Sequence, residues 1–346
     1  MEEKEVLKRL CEAHAPSGRE HLLHPIIKDI FGEVSETTVD NINNMYIKKE
    51  GNKKGKIMVM AHADEIFLMV TSIEEKGFLK FKAFGIDAKT LVSQELIIHG
   101  EKKIKGIIGI KPPHLMNDED RKKAVKAEDL LIDTGYSKEA LEAIVKVGDY
   151  ATLDRKFSEL LNNNVSCKAT DDRAGVAALY STAKELKDIN HDMDVYFVCS
   201  AQEEVGHRGS KVASHEINPD IGIAIDTTFD SGRLGDEDRD NKLGLGPVIC
   251  IGPNIHPKLR ERFVAIAKEY NIPYQVEVEP GNTGTDAWDI QVAKTGIPTL
   301  LISIPIRYMH TSVEVINIDD IKNTGRIIAK FIEKLKGEEL EELLCF

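Results

Sequence analysis

Apolar residues along the chain fall into two rhythms. Unbroken runs such as KIMVMA (56–61), DVYFVCSA (194–201), IGIAI (221–225) and TLLISIPI (299–306) read as strands buried on both faces, since a strand with one wet face would alternate. Between them, DDRAGVAALYSTAKELKD (171–188), HPKLRERFVAIAKEYN (256–271) and DIKNTGRIIAKFIEKLKGEELEELL (320–344) repeat apolar residues at helical intervals. The last reads as one closing helix, with the tail's leucines and Phe346 docking on the body or a neighbouring subunit. Near the start, Ser17 followed by Glu20 has capping-box spacing, so a helix is expected to begin there.

From about Phe67 to Leu161 the rhythm changes to short β-prone pieces, among them FLMVTSI, GFLKFKAF, ELIIHG and KIKGIIGI, separated by Gly, Lys and Asp turns. We read an inserted β-rich domain at 67–161, between two halves of a larger domain at 1–66 and 162–346. Strands alternating with helices in those halves predict an α/β fold, a mixed sheet covered by helices on both faces. Sites in such sheets gather at the carboxyl ends of the strands.

Composition narrows the class. A 346-residue chain, 42% hydrophobic and 30% charged, buries a sizeable core and is typical of soluble globular enzymes. The net charge of -12, with Lys and Arg spread among acids, argues against a nucleic-acid partner, and the basic run 121–126 reads as a solvated face. Five cysteines, odd in number and without a CxxC pair, fit a reducing, cytoplasmic location. MEEKEVLKRL is no secretory signal, and no apolar run is long enough to span a membrane.

Candidate chemistry lies where the apolar runs stop. His62 and Asp64 follow IMVMA, Glu203 and Glu204 follow VYFVCSAQ, Asp226 follows IGIAI, His310 follows LLISIPIRYM, and Asp171 and Asp172 precede the helix beginning near Ala174. Each alone reads as a loop histidine or an N-cap. Together, carboxylates converging on one edge repel and raise one another's pKa unless cations lie among them. Two His with three or four acids form a metal-ligand set. In a dinuclear centre one carboxylate bridges two metals, a hydroxide lies between them, and an unligated acid moves the proton. One of the neighbours Glu203 and Glu204 can ligate while the other faces the water.

The segments AHADE, ATDDRAG, SAQEEVGHRG, IDTT, GTDAWD and IPIRYMHTSVE resemble, in order, the motifs of the tetrahedral (TET) aminopeptidases, over about 15 to 331. These are dinuclear metallopeptidases that include glutamyl and leucyl aminopeptidases, and some carry the label endoglucanase. The resemblance implies Asp171 as bridging ligand, His62 and Asp226 completing one metal site, and Glu204 and His310 the other. It implies Glu203 as general base, Asp64 orienting His62, and a cis peptide at Asp171–Asp172. It further implies dimerisation through the β-rich insert and a hollow dodecamer of dimers. Two divalent ions per subunit are expected, Zn first, with Co or Mn compatible with the same ligands.

The expected activity is removal of N-terminal residues from peptides. Asp286 in GNTGTDAWDI is a candidate for the substrate ammonium, and Arg307 for a substrate carbonyl or carboxylate. Two positions depart from the family pattern: Phe67, where Gly is usual, and His207, usually apolar; both read first as packing changes, with a narrowed or reshaped pocket at Phe67 and a further polar contact at His207 as the alternatives, and substrate preference is at stake. His99, His114 and His256 read as turn histidines, and Trp288 as core. Two other readings keep the metals: a deacylase or carboxypeptidase, for which no small-domain His or Arg is evident, and a non-catalytic peptide-binding assembly, against which an unligated Glu203 argues. Glycoside hydrolysis would need a carboxyl pair free of metal.

Overall fold

The structure, a computed structural model, describes residues 1–32, 34–117, 123–232 and 241–345. Residues 121 and 122 of the basic run, and Phe346, lie outside them. Two compact units emerge: Met1–Glu65, Phe157–Met309 and Glu314–Phe346 form the larger, and Ile66–Lys156 with His310–Val313 the smaller.

The larger unit is built on an eight-stranded sheet. The doubly buried runs form its centre, where Asp194–Ser200, Lys56–His62, Ile221–Phe229 and Thr299–Ile306 lie side by side and parallel. Met45–Lys49 and Thr37–Val39 extend one side antiparallel. On the other side Val248–Ile251 runs antiparallel to Thr299–Ile306 and carries Gln275–Val278 at the edge, so the sheet is mixed. Register aligns the strand ends: Ser200 pairs with His62, and Asp226 with Ser303.

Helices cover both faces of this sheet. The helix Thr170–Glu185 is buried on every side through Ala183, because it packs against the strands as well as the helices Glu3–Glu12 and Ile318–Lys334. Its small residues permit that; a Cβ on Gly325 of the facing helix would come 2.5 Å from Ser181 Cβ.

Two local expectations fail. The helix near the start is His24–Phe31, preceded by a 3₁₀ turn at Glu20–Leu22, and no capping box forms. Ser17 Oγ instead donates to Asp64 at 2.6 Å, while Glu20 Oε1 accepts from the N–H groups of Gly18 and Gln202. The closing helix stops at Lys334; Leu335 is extended, and Leu340–Leu344 forms a separate short helix. The Gly337 N–H donates to Asp192 at 3.1 Å, which fixes the chain in the break, and Leu340, Leu343 and Leu344 pack on the core.

The smaller unit is a closed barrel ordered Phe67–Ile73, Phe78–Phe84, Leu131–Asp133, Lys103–Gly109, Glu95–His99, Tyr150–Leu153. Lys103–Gly109 alternates exposed and buried residues, as barrel strands do, and Leu68, Val70, Leu79, Leu96, Ile98 and Ile132 fill the interior. The border falls after Lys156, because Ser158–Glu159 pairs with Asn164–Cys167 and that strand with Glu314–Asn317 of the larger unit.

Phe67 packs outside the barrel's interior cluster, its ring stacked on Phe84 with centroids 4.6 Å apart and 5.1 Å from Tyr150. His99 lies within a strand and bonds to Thr152, and His256 caps the helix Pro257–Glu269, so neither is a simple turn residue. Trp288 is partly exposed rather than core. Among the described residues no helix is long and apolar enough to cross a membrane.

Candidate metal centre

Because the central strands are parallel and end in register, their carboxyl ends deliver polar residues to one edge. His62 ends Lys56–His62, Asp226 lies in Ile221–Phe229, and Glu203 and Glu204 follow Asp194–Ser200. His310 follows Thr299–Ile306, and Asp171 stands at the first turn of Thr170–Glu185 with non-helical φ -79° and ψ 110°. The Asp171–Asp172 peptide is cis. Gln202, His207, Tyr308 and His310 all have φ between 52° and 62°, a left-handed backbone uncommon away from glycine and recurrent where loops aim side chains into a site.

The predicted ligands come together in two groups. His62, Asp171 and Asp226 each offer a ligand atom within 4.8 Å of the others, as do Asp171, Glu204 and His310. Asp171 is common to both. Glu203 stands in neither, with Oε2 3.8 Å from His62 Nε2.

An inner ring of hydrogen bonds fixes these groups. Asp64, fully buried, accepts from Ser17 Oγ and from the N–H groups of Glu203 at 3.1 Å and Glu204 at 3.3 Å, and lies 3.5 Å from His62 Nδ1. Thr227 Oγ1 donates to Asp171 Oδ1 at 3.0 Å. Sequence reasoning missed Glu314, whose Oε2 accepts from the N–H groups of Thr170 and Asp171 at 2.7 and 3.2 Å; its place in IPIRYMHTSVE was the available signal. It also missed Gly175 of the DDRAG segment, where a Cβ would lie 2.3 Å from an Asp172 carboxylate oxygen.

Just outside, Glu65 is gripped by Lys168 Nζ at 2.6 Å and Arg173 Nη2 at 3.1 Å, all buried. Burial works to raise the Glu65 pKa, yet the two cations hold it at about 2. This cluster ties the segment carrying His62 and Asp64 to the segment carrying Asp171.

The charge balance fits a cation-binding role. Burial first, then the charge on Asp172, pushes Asp226 well above the ordinary carboxylate range; Asp172 is likewise pushed up by burial and by Asp171. Burial raises Glu203 to about 7, and burial raises Asp286. Acids packed this closely share their charge with protons unless cations neutralise them, and the oxygen and imidazole donors here suit divalent metal ions.

Outside the two groups, the substrate candidates part ways. Asp286 opens the helix Asp286–Ile290; Ser200 Oγ donates to its Oδ2 at 2.6 Å, while its buried Oδ1 has no hydrogen-bond partner. Arg307 is ion-paired through Nε with the buried Asp230. His207 is not a packing substitution. Its Nε2 lies 3.1 Å from Glu203 Oε1 and its Nδ1 2.9 Å from Asp289 Oδ2, and the Glu203 hydrogen bond raises its pKa to about 9. The four-residue spacing from Glu203 was the signal in the sequence.

Residues 43–327 match the family model described as M42 glutamyl aminopeptidase. The chain is 37% identical to a lysyl aminopeptidase of Pyrococcus furiosus over 344 residues, covering 96% of this chain and 97% of that protein. A TET aminopeptidase from a marine sediment archaeon of the Thaumarchaeota superposes with a TM-score of 0.93 at 32% identity, covering 99% of each chain. The TET1 peptidase of Pyrococcus horikoshii, described as able to assemble into a tetrahedron or a large octahedral shell, gives a TM-score of 0.85 at 32% identity over 96% of this chain and 100% of that one.

Proposed function

The chain belongs to the M42 glutamyl aminopeptidase family, and on that premise we propose that it is a dinuclear metallo-aminopeptidase removing N-terminal residues from peptides, with Glu203 as its general base. The observation that carries this reading is the division of labour among the acids. Asp171 is shared by two donor groups, while Glu203 stands beside them and belongs to neither.

His62, Asp171 and Asp226 would hold one ion, and Asp171, Glu204 and His310 a second, with zinc favoured and cobalt or manganese compatible. When bound, the ions supply Lewis acidity to the scissile carbonyl and make a nearby water more acidic. The chain's own groups do the rest. Glu203 takes a proton from the water that adds to the carbonyl and passes it to the departing amine nitrogen. Its Oε2 is the free arm for this transfer, since Oε1 is engaged by His207. Asp286 presents a buried, unpartnered oxygen, suited to accept from the free ammonium of the substrate. Arg307, committed to Asp230, serves here as a brace for the segment preceding His310. Asp64 orients His62 and holds the 203–204 turn.

Assembly follows the relatives. We place the chain in a cytoplasmic homo-oligomer of dimers, a dodecamer, with the barrel unit as the dimerisation surface.

The test is a panel of aminoacyl chromogenic substrates set beside N-blocked peptides and a glucan, before and after chelation and metal add-back. Free amino termini are expected to be required, and activity to return with metal. Glu203→Gln is expected to abolish hydrolysis while bound metal stays at the parent level. Cleavage of blocked peptides in preference to free ones would overturn the reading.

A further inference from the structure

We infer that His207 is a positioning residue for Glu203, clamped between that carboxylate and Asp289 so that one oxygen of Glu203 is held and the other is left to work. The inference rests on Glu203 being the general base.

The geometry is that of a brace. A glutamate side chain has three rotatable torsions, and beside ligand groups such as His62 and Asp171 it would tend to swing toward any cation they hold. A donor 3.1 Å from Oε1 removes that freedom and leaves Oε2 facing His62. Imidazole suits the task because its ring is rigid and turns on only two torsions, and because its second nitrogen is fixed by Asp289 at 2.9 Å. Asp289 is itself met by Lys211 Nζ at 3.4 Å.

The backbone of His207 is fixed as well. Its N–H donates to the Glu203 carbonyl at 3.0 Å, and its own carbonyl accepts from Ser210 Oγ at 2.9 Å. The helix Arg208–Ile217 begins at the next residue. Both ends of the brace are therefore rigid, as precise orientation of a catalytic group requires.

The far end of the brace also reaches toward the substrate. Asp289 lies three residues after Asp286 on one short helix, the same element that carries the acceptor proposed for the substrate ammonium. The base and the amino-terminal anchor are thereby held at a set separation by Glu203, His207, Asp289 and Asp286 in turn.

The experiment compares His207→Leu, His207→Gln and Asp289→Ala in the metal-loaded full chain, using a single aminoacyl chromogenic substrate. Leu keeps bulk and removes both donors; kcat is expected to fall about 10–100-fold, with KM changed less than about threefold. Metal content and Tm are read alongside. Gln restores one donor toward Oε1 and is expected to recover most of the lost kcat. Asp289→Ala leaves the ring in place and frees its far end, so an intermediate loss is expected, and this variant also decides the matter should the Leu protein not fold. An unchanged kcat in Leu or Ala, a Gln variant no better than Leu, or a loss wholly explained by lower metal content would each overturn the inference. Glu203→Gln is the control that separates the two levels: substantial activity there removes the general base itself, whatever His207 does.

Discussion

The backbone N–H of Glu203 donates to Oδ1 of Asp64 at 3.1 Å, tying together residues 139 apart in sequence at the ends of neighbouring strands. The same carboxylate faces His62 and accepts from Ser17. Asp64→Asn turns an acceptor-only group into one whose NH₂ opposes the N–H and O–H donors around it. Metal affinity, read by chelator competition, is expected to fall about 10–100-fold with the fold retained. A variant binding metal as tightly as the parent would show that Asp64 does not orient the site.

Asp171 and Asp226 differ in reach, the first standing in both donor groups and the second in one. Removing a shared ligand weakens both sites; removing an unshared one leaves the other site its full set. After dialysis, elemental analysis of Asp171→Ala is expected to find both ions lost, and Asp226→Ala to keep one of the two. Equal depletion in the two variants would contradict a shared Asp171.

Glu65 gives the stability counterpart. Its removal leaves Lys168 and Arg173 buried without their counter-ion, so Glu65→Gln is expected to lower stability by about 3–5 kcal/mol. The folded pKa of about 2 lies below the ordinary 4.5, so the carboxylate stabilises the fold fully above pH 4.5 and loses that contribution as pH falls through 2. The Tm gap between parent and variant is expected to hold steady from neutral pH to about 4.5 and to narrow below it. A gap that narrows already between pH 7 and 5 would mean the carboxylate is not held ionised.

Phe67 bears on stability. Its ring is buried against Phe84 and Tyr150, on the strand face opposite Leu68 and Val70, so Phe67→Ala is expected to cost about 3–5 kcal/mol, seen in denaturant unfolding. The ranking of aminoacyl substrates by kcat/KM is expected to stay as in the parent; a reordered ranking would place Phe67 at the substrate after all.

Much of the fold was readable along the chain. The apolar run 57–61 is buried throughout, so its unbroken character reports a strand covered on both sides. The insert showed itself through short β-prone pieces between turns, whereas the alternate burial along Lys103–Gly109 is not written in its residues, since Ile107 is exposed and Ile108 buried. Local signals failed where a distant partner outbid a near one. The spacing of Ser17 and Glu20 suits a cap, yet the Ser17 hydroxyl goes to Asp64 and the Glu20 carboxylate to the N–H of Gln202. Helical periodicity continues past Lys334 through Leu340, and the Asp192–Gly337 hydrogen bond interrupts it.

The site divides the same way. His62, Asp64, Asp171, Asp172, Glu203, Glu204, Asp226 and His310 stood out because acids and histidines at the ends of buried runs are unusual in type and place, while the choice of His62, Asp171, Glu204, Asp226 and His310 as ligands came from the resemblance. His207 was only half legible: its four-residue spacing from Glu203 was there to be read, whereas its other partner, Asp289, is 82 residues away and nothing local links the two.

By itself the sequence determined which segments become strands and helices and which polar side chains stand where they end, because both follow from the period of burial within a few residues. Only the tertiary structure decided that those ends meet, that Asp171 serves two groups, and that Glu203 is braced while Glu204 joins a ligand group. Those facts depend on strand order and parallel register between segments far apart in the chain, and local periodicity carries no record of such pairings.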